Sequence, residues 1–91
     1  MGKEIIDKLR KLTEKEIQRI KKVREKLKTI KDDRGLLKLI DSYLHDSSFF
    51  LKEGKLIEAF EAIVIVWSYI DAGLRFGIFD LPEELKDYFT V

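Results

Sequence analysis

The segment between Gly54 and Gly77 constrains the fold of this chain most, because it is apolar around most of a helical circumference. Its apolar residues fall on three neighbouring seams: Leu56, Phe60, Ile63, Trp67, Ile70 and Leu74; Ala59, Ala62, Val66, Tyr69 and Phe76; Ile57, Val64 and Ile78. The polar strip that remains is narrow and comprises Glu58, Glu61, Ser68 and Arg75. A helix of this kind must be covered from several directions. We therefore expect a central helix over residues 55–77, covered by other parts of the chain or by a second subunit.

The lysine-rich first third of the chain also has a helical period, with apolar residues mostly three or four positions apart from Ile5 to Ile30. It predicts a long first helix over residues 3–31. The spacing slips near Thr13 and Glu16, which stand three residues apart as in a capping box. A helix start at Thr13 fits the local rules, but a cap contributes only about 1 kcal/mol, and packing can override it. Both interpretations stay open, and we favour one long helix with a possible kink.

Turn signals divide the rest of the chain. The sequence Asp32-Asp33-Arg34-Gly35 predicts a turn before a second helix over residues 34–53, and Gly54 ends that helix. Because the link at Gly54 is short, the second and third helices should pack as an antiparallel hairpin. Pro82, followed by two glutamates, predicts a short last helix over residues 82–89. The expected fold is all-α: a small helical bundle with a long N-terminal helix, a central antiparallel helical hairpin and a short C-terminal helix, in one domain over residues 1–91.

The composition excludes several classes of protein. The 91 residues contain no cysteine, which excludes disulfides and cysteine-ligated metal sites. The longest uncharged stretch, residues 62–70, is much shorter than the roughly 20 residues that span a bilayer. The N-terminus lacks the apolar run of a secretory signal, so we expect a cytoplasmic protein. Asparagine is absent while lysine, glutamate and isoleucine are abundant, a balance typical of thermophilic proteins.

Charge is distributed unevenly along the chain, although the formal net charge is only +1. Residues 1–34 hold 13 Lys and Arg against 7 Asp and Glu, whereas residues 35–91 hold 5 against 10. This asymmetry can indicate a nucleic-acid surface, or attraction between the two parts within or between chains. On the basic first helix, Arg19, Lys22 and Lys26 are the candidate contacts to phosphates. No aromatic residue is interleaved with them to stack bases, so nucleic-acid binding, most simply of RNA, is the alternative function.

The segment from Tyr43 to Gly77 resembles a family of short archaeal proteins known as domain of unknown function 357. The resemblance is carried by Asp46, Ser47, Phe49, Gly54, Ala59, Asp71, Ala72, Arg75 and Gly77. Glu53 intervenes between Lys52 and Gly54, where the family pattern has a lysine followed by glycine. The first helix fits the family only in general character. The resemblance implies an archaeal, helical, cytoplasmic protein, and it implies no particular activity.

Asp71 is the leading candidate for a functional polar residue, because it lies on the same stripe of the third helix as Ile57 and Val64. A carboxylate in that position must be paired or hydrated, and Arg75 stands four residues on, in the favourable orientation for an ion pair. The simplest role of the pair is to fix the register between helices or subunits. The alternative is ligand binding, which requires a cavity beside Asp71. Asp46 is the third candidate of this polar class.

The sequence contains no recognisable catalytic or metal-binding arrangement. It has a single histidine, no pair of glutamate and histidine at metal-ligand spacing, and no glycine-rich phosphate loop. We expect neither a cofactor nor a metal ion. The function predicted from the residues is that of a noncatalytic interaction or assembly module. Its partner should be a second copy of the chain, with a dimer favoured, or another protein. The candidate interface comprises Val64, Trp67 and Tyr69.

Overall fold

Three main helices, a two-stranded ladder and a terminal helical turn form the structure. The computed structural model describes residues 2–89. The elements follow one another as α1 (Gly2–Lys26), β1 (Lys28–Thr29), α2 (Leu36–Lys52), α3 (Leu56–Arg75), β2 (Phe79–Asp80) and α4 (Glu83–Lys86). The prediction of an all-α fold is confirmed, since helices make up most of the described chain. The predicted domain over residues 1–91 includes Met1, Thr90 and Val91, which lie outside the described residues.

Helix α1 is continuous through Thr13, so the sequence there does not start a new helix. The Thr13 side chain is fully buried, and its hydroxyl donates a hydrogen bond of 2.7 Å to the carbonyl oxygen of Leu9. That bond satisfies the hydroxyl inside the helix, whereas a capping residue would have accepted a bond from a backbone N–H. Burial of Thr13 together with Ile17, Ile20 and Val23 fixes the face of α1 that packs on the bundle.

The predicted first helix, residues 3–31, is too long at its C-terminal end. Helix α1 ends at Lys26, and residues 28 and 29 form β1 instead. In the antiparallel ladder Lys28 lies opposite Asp80 and Thr29 lies opposite Phe79, and the Ile30 N–H donates to the Ile78 carbonyl at 2.9 Å. The ladder supplies backbone partners that a helix would otherwise provide. Ile30, which continues the apolar period in the sequence, is 58% exposed.

Local backbone chemistry sets the ends of α2 and α3. The Asp33 carboxylate accepts bonds of 3.0 Å from the N–H groups of Gly35 and Leu37, which caps the start of α2. Both helices then end in the same motif, in which a glycine has a positive φ. Only a residue without a Cβ adopts that φ easily. Beyond Gly54 (φ 76°) the Lys55 N–H donates to the carbonyl of Phe50, and beyond Gly77 (φ 71°) the corresponding bond runs from Ile78 to Gly73.

The core lies where α1 and α2 pack on α3, and the segment after α3 closes it. The bulkiest fully buried side chains are Ile20, Val23, Ile40, Ile63, Val66 and Ile70. Phe79 of β2, Leu81 of the link after it and Leu85 of α4 add to this core. Between residues 2 and 89, no helix has the length and apolar character needed to cross a membrane. In the same range, no group of three or more His, Cys, Asp or Glu side chains is placed to hold a metal ion.

Candidate functional site

The first three turns of α1 carry apolar side chains that no other part of the described chain buries. We call residues Gly2 to Leu12 the N-terminal arm; within it only Leu9 is half-buried, and all the other residues are exposed. Ile5 is 62% exposed, Ile6 50% and Leu12 43%. The molecule is elongated, at 46 × 25 × 18 Å, and a helix of 25 residues is about 37 Å long. The arm is therefore the part of α1 that extends beyond the packed bundle.

The exposed stripe on the arm continues the buried stripe of α1. Leu9 lies three residues after Ile6 and four residues before Thr13. The buried residues Thr13, Ile17 and Ile20 follow one another with the same spacing of three or four. Charged residues flank the stripe in two groups: Lys3, Glu4 and Asp7 near the N-terminus, then Lys8, Arg10 and Lys11. All six of these charged side chains are exposed. The arm thus combines exposed apolar side chains with a net charge of −1 over residues 2–7 and +3 over residues 8–12.

A second feature is a surface pocket beside Asp71, as the ligand-binding interpretation of this residue requires. The pocket has a volume of about 240 Å³ and is lined by Trp67, Ser68, Asp71, Tyr88 and Phe89. The Asp71 Oδ2 atom lies 3.8 Å from Nη2 of Arg75, which is a long ion pair between partly exposed groups. The Asp71 Oδ1 atom and the Trp67 indole nitrogen are buried, and neither has a hydrogen-bond partner among residues 2–89. Buried polar atoms of this kind are uncommon in folded proteins.

Aromatic rings form the other walls of this pocket. The Trp67 and Phe89 ring centroids are 4.9 Å apart, and those of Trp67 and Tyr88 are 6.3 Å apart at an interplanar angle of 79°. Arg19 lies over one of these rings, with its guanidinium carbon 5.6 Å from the Tyr88 centroid. The segment after α4 therefore covers part of α3 through aromatic contacts.

The three predicted interface residues do not share one uncovered face. Val64 is 43% exposed and lines a groove with Trp67, but the Trp67 ring is partly covered by Phe89. Tyr69 points toward α2, where its ring centroid is 6.0 Å from that of Tyr43. Helical spacing places these side chains on one helix, yet α2 and the C-terminal segment cover its different sides. The arm, in contrast, carries three exposed large apolar side chains within eight residues, Ile5, Ile6 and Leu12.

Asp46 is separate from the Asp71 pocket. It is exposed on α2 and lines a shallow groove with Tyr43, Phe50, Glu58, Glu61, Ala62 and Ile65. The predicted polar candidates thus occupy two places: Asp71 and Arg75 are ion-paired on α3, and Asp46 lies across the hairpin. The groove at Asp46 brings together three carboxylates and no histidine. It offers no arrangement that distinguishes it from a solvated acidic surface.

Two arginines of α1 are engaged within the chain. Arg19 contacts Glu16 at 3.3 Å as well as the Tyr88 ring. Arg24 donates to both carboxylate oxygens of Asp41, at 2.6 and 3.0 Å, and this hydrogen bonding raises the pKa of Arg24 above its usual value. Lys22 and Lys26, which together with Arg19 are the predicted phosphate contacts, are exposed. Helical spacing does not indicate the pair between Arg24 and Asp41, because 17 residues separate the two partners.

Comparison with known proteins agrees with this architecture. The family model for a protein of unknown function, DUF357, matches residues 8–79. The crystal structure of a DUF357 protein from Archaeoglobus fulgidus superposes with a TM-score of 0.78 at 31% sequence identity, covering 86% of this chain and 99% of that one. None of the curated proteins compared with the chain matches it significantly. The match confirms the resemblance seen between Tyr43 and Gly77 and extends it into α1. The chain belongs to the DUF357 family.

Proposed function

We propose that this protein is a noncatalytic assembly module, and that two copies pair through their N-terminal arms. The observation that carries the proposal is the exposure of three large apolar side chains of the arm, Ile5, Ile6 and Leu12, of which Ile6 is in line with the buried seam of the same helix. A short helix without tertiary contacts is marginal in water, because most helical stability in proteins comes from packing an apolar face. Contact with a second copy would supply that packing.

The charges on the arm favour a second copy over an unrelated partner. If two arms lie antiparallel about a twofold axis near Asp7 and Lys8, residues 2–7 of one arm, with a net charge of −1, face the basic residues 8–12 of the other. Glu4 then lies near Lys11 of the partner copy, and the arrangement repeats by symmetry. Antiparallel arms also place the two bundles at opposite ends of the pair, so the bundles do not collide. A parallel pair would set like charges side by side.

Replacing Ile6 by glutamine tests this interface. Burying one large aliphatic side chain contributes about 1.5–3 kcal/mol, so we expect the dimer to weaken about tenfold or more. Sedimentation velocity over a range of protein concentrations measures the change. The matched control is Ile30→Gln, because Ile30 is 58% exposed but lies after β1, at the other end of α1. The control should dimerise as the unchanged protein does.

Two results would contradict the proposed pairing. One is an unchanged protein that sediments as a monomer throughout the micromolar range. The other is a dimer that Ile6→Gln and Ile30→Gln weaken equally, since that would place the interface elsewhere. Circular dichroism of each variant separates a lost interface from a lost fold, because Ile6 is 50% exposed and does not belong to the buried core.

The alternative proposal, nucleic-acid binding, rests on the exposure of Lys22 and Lys26 one helical turn apart on α1. It predicts RNA binding that weakens steeply with salt, because each phosphate contact releases a condensed counterion. The double substitution Lys22→Glu and Lys26→Glu should then abolish binding to a single-stranded RNA in a fluorescence polarisation assay. Under the favoured proposal, the same double variant dimerises normally and the unchanged protein shows no salt-dependent binding to RNA.

A further inference from the structure

We propose that the pocket beside Asp71 binds an alkylammonium group. Its walls are three aromatic rings, Trp67, Tyr88 and Phe89, and one carboxylate. The faces of aromatic rings carry negative electrostatic potential and attract cations, most strongly for tryptophan. Rings set at steep angles around a carboxylate form the kind of cage that recognises ammonium groups. The ring pairs here meet at 51° and 79°, so the rings present faces in different directions.

The Asp71 carboxylate has unused hydrogen-bonding capacity. Its contact with Arg75 is 3.8 Å long and involves Oδ2, whereas Oδ1 has no hydrogen-bond partner among residues 2–89. An ammonium N–H is a charge-assisted donor that can satisfy a carboxylate oxygen, and a methylated ammonium can still pair with it electrostatically. An anionic ligand would be repelled by the Asp71 carboxylate. The Asp71 carboxylate and the aromatic ring faces therefore favour a cation over an anion.

Access to Oδ1 requires a small adjustment of the pocket walls, because this oxygen is buried. Trp67 and Asp71 are one turn apart on the long helix α3, which fixes their positions. Tyr88 and Phe89 follow α4, which has only four residues. These two rings are therefore the walls that can move to admit a ligand. The pocket volume of about 240 Å³ is sufficient for an ammonium head group and the first carbons attached to it.

The position of Arg19 is consistent with this interpretation. Its guanidinium already lies over the Tyr88 ring, at 5.6 Å from the centroid. One ring of the pocket wall thus already holds a cation of the chain itself. This inference concerns α3 and the C-terminal segment, so it does not depend on pairing through the N-terminal arm.

The intrinsic fluorescence of the protein provides a direct test, because Trp67 is its only tryptophan. The probe is choline chloride, titrated at constant ionic strength with sodium chloride as the reference salt. The comparison probe is 3,3-dimethylbutan-1-ol, which has the shape of choline without its charge. We expect saturable quenching or a spectral shift with choline and a much weaker response with the neutral alcohol. An equal response to the two compounds, or none to choline, overturns the proposal.

Two conservative variants identify the groups responsible. Asp71→Asn keeps the shape of the side chain but removes its charge, and we expect it to weaken choline binding about tenfold. Asp46→Asn is the matched control, since it removes a carboxylate from the other groove and should leave binding unchanged. Phe89→Leu keeps an apolar wall without a π face and should weaken choline binding but not binding of the neutral alcohol. Unchanged choline binding in both Asp71→Asn and Phe89→Leu would rule out the site.

Two further probes distinguish the possible sources of the ammonium group. One is butane-1,4-diamine, which represents free polyamines; the other is a short glycine peptide that carries a single trimethyl-lysine. Tighter binding of the diamine indicates a small-molecule ligand, and tighter binding of the peptide indicates a modified protein side chain. Either result supports an alkylammonium site. Failure of both probes to compete with choline would contradict it.

Discussion

Replacing Phe79 by alanine is expected to lower the free energy of unfolding by about 3–5 kcal/mol, the range typical of a deleted core phenylalanine. Phe79 is only 2% exposed, although it lies in a strand of two residues. Its backbone pairs with Thr29 in the ladder, and its ring packs against Gly73 of α3. The side chain thus connects the end of α1 to the end of α3. Alanine would leave a cavity that the short ladder cannot close.

Urea denaturation, followed by circular dichroism and by Trp67 fluorescence, measures this loss. Phe76→Ala is the matched control, because Phe76 is 68% exposed and lies three residues earlier in the chain. Its removal should change the free energy of unfolding by no more than about 0.5 kcal/mol, as expected for a surface position. A Phe79→Ala protein as stable as the Phe76→Ala protein would show that the ladder does not contribute to the core.

The spacing of apolar residues was sufficient to predict the main helices, because apolar residues three and four positions apart line the faces that pack in the core. It could not predict the ladder. Thr29 and Ile30 fit the helical period of α1 as well as they fit an extended strand, and only pairing with residues 78–80 decides between them. Those partners are about 50 residues away in the sequence, so no local rule connects them. The same limit applies to the ion pair of Arg24 with Asp41.

The candidate sites were predictable to different degrees. The position of Asp71 on an apolar stripe of α3 indicated a carboxylate with an unusual environment, and the structure places a pocket there. The walls formed by Tyr88 and Phe89 depend on how the C-terminal segment folds back, which spacing alone does not determine. The exposure of Ile5 and Ile6 could not be predicted from the sequence either. A sequence shows which face of α1 is apolar but not how far along α1 its neighbours extend.

The contact between Gly73 and Phe79 provides the second large effect expected. Gly73 is buried in α3, in ordinary helical geometry, and its hydrogen atom faces the Phe79 ring. A Cβ added at this position would overlap Cδ2 of that ring and lie 2.6 Å from Cε2 and 3.2 Å from Cγ. The ring has little freedom to retreat, because the Ile78 N–H bond of 2.8 Å to the Gly73 carbonyl fixes the turn that positions it.

Gly73→Ala should therefore destabilise the protein despite the higher helix propensity of alanine. Overpacking of a tight core costs up to about 3 kcal/mol, and replacing glycine within a helix returns about 1 kcal/mol. We expect a net loss of about 2 kcal/mol, which corresponds to a fall in Tm of about 8–16 °C for a domain of this size. Thermal unfolding followed by circular dichroism measures it. Ser68→Ala, an exposed position of the same helix, gains propensity without the overlap and should leave Tm nearly unchanged.

A double-mutant cycle shows whether the overlap with Phe79 is the cause. Phe79→Leu removes the ring edge nearest Gly73 while keeping an apolar side chain in the core. If the added methyl group of Gly73→Ala destabilises the protein by overlapping the ring, its effect in the Phe79→Leu background should be smaller by about 1 kcal/mol or more. Additive losses in the cycle would mean that Gly73→Ala does not destabilise the protein through the Phe79 ring. The close approach of α3 and β2 would then not depend on the absence of a side chain at Gly73.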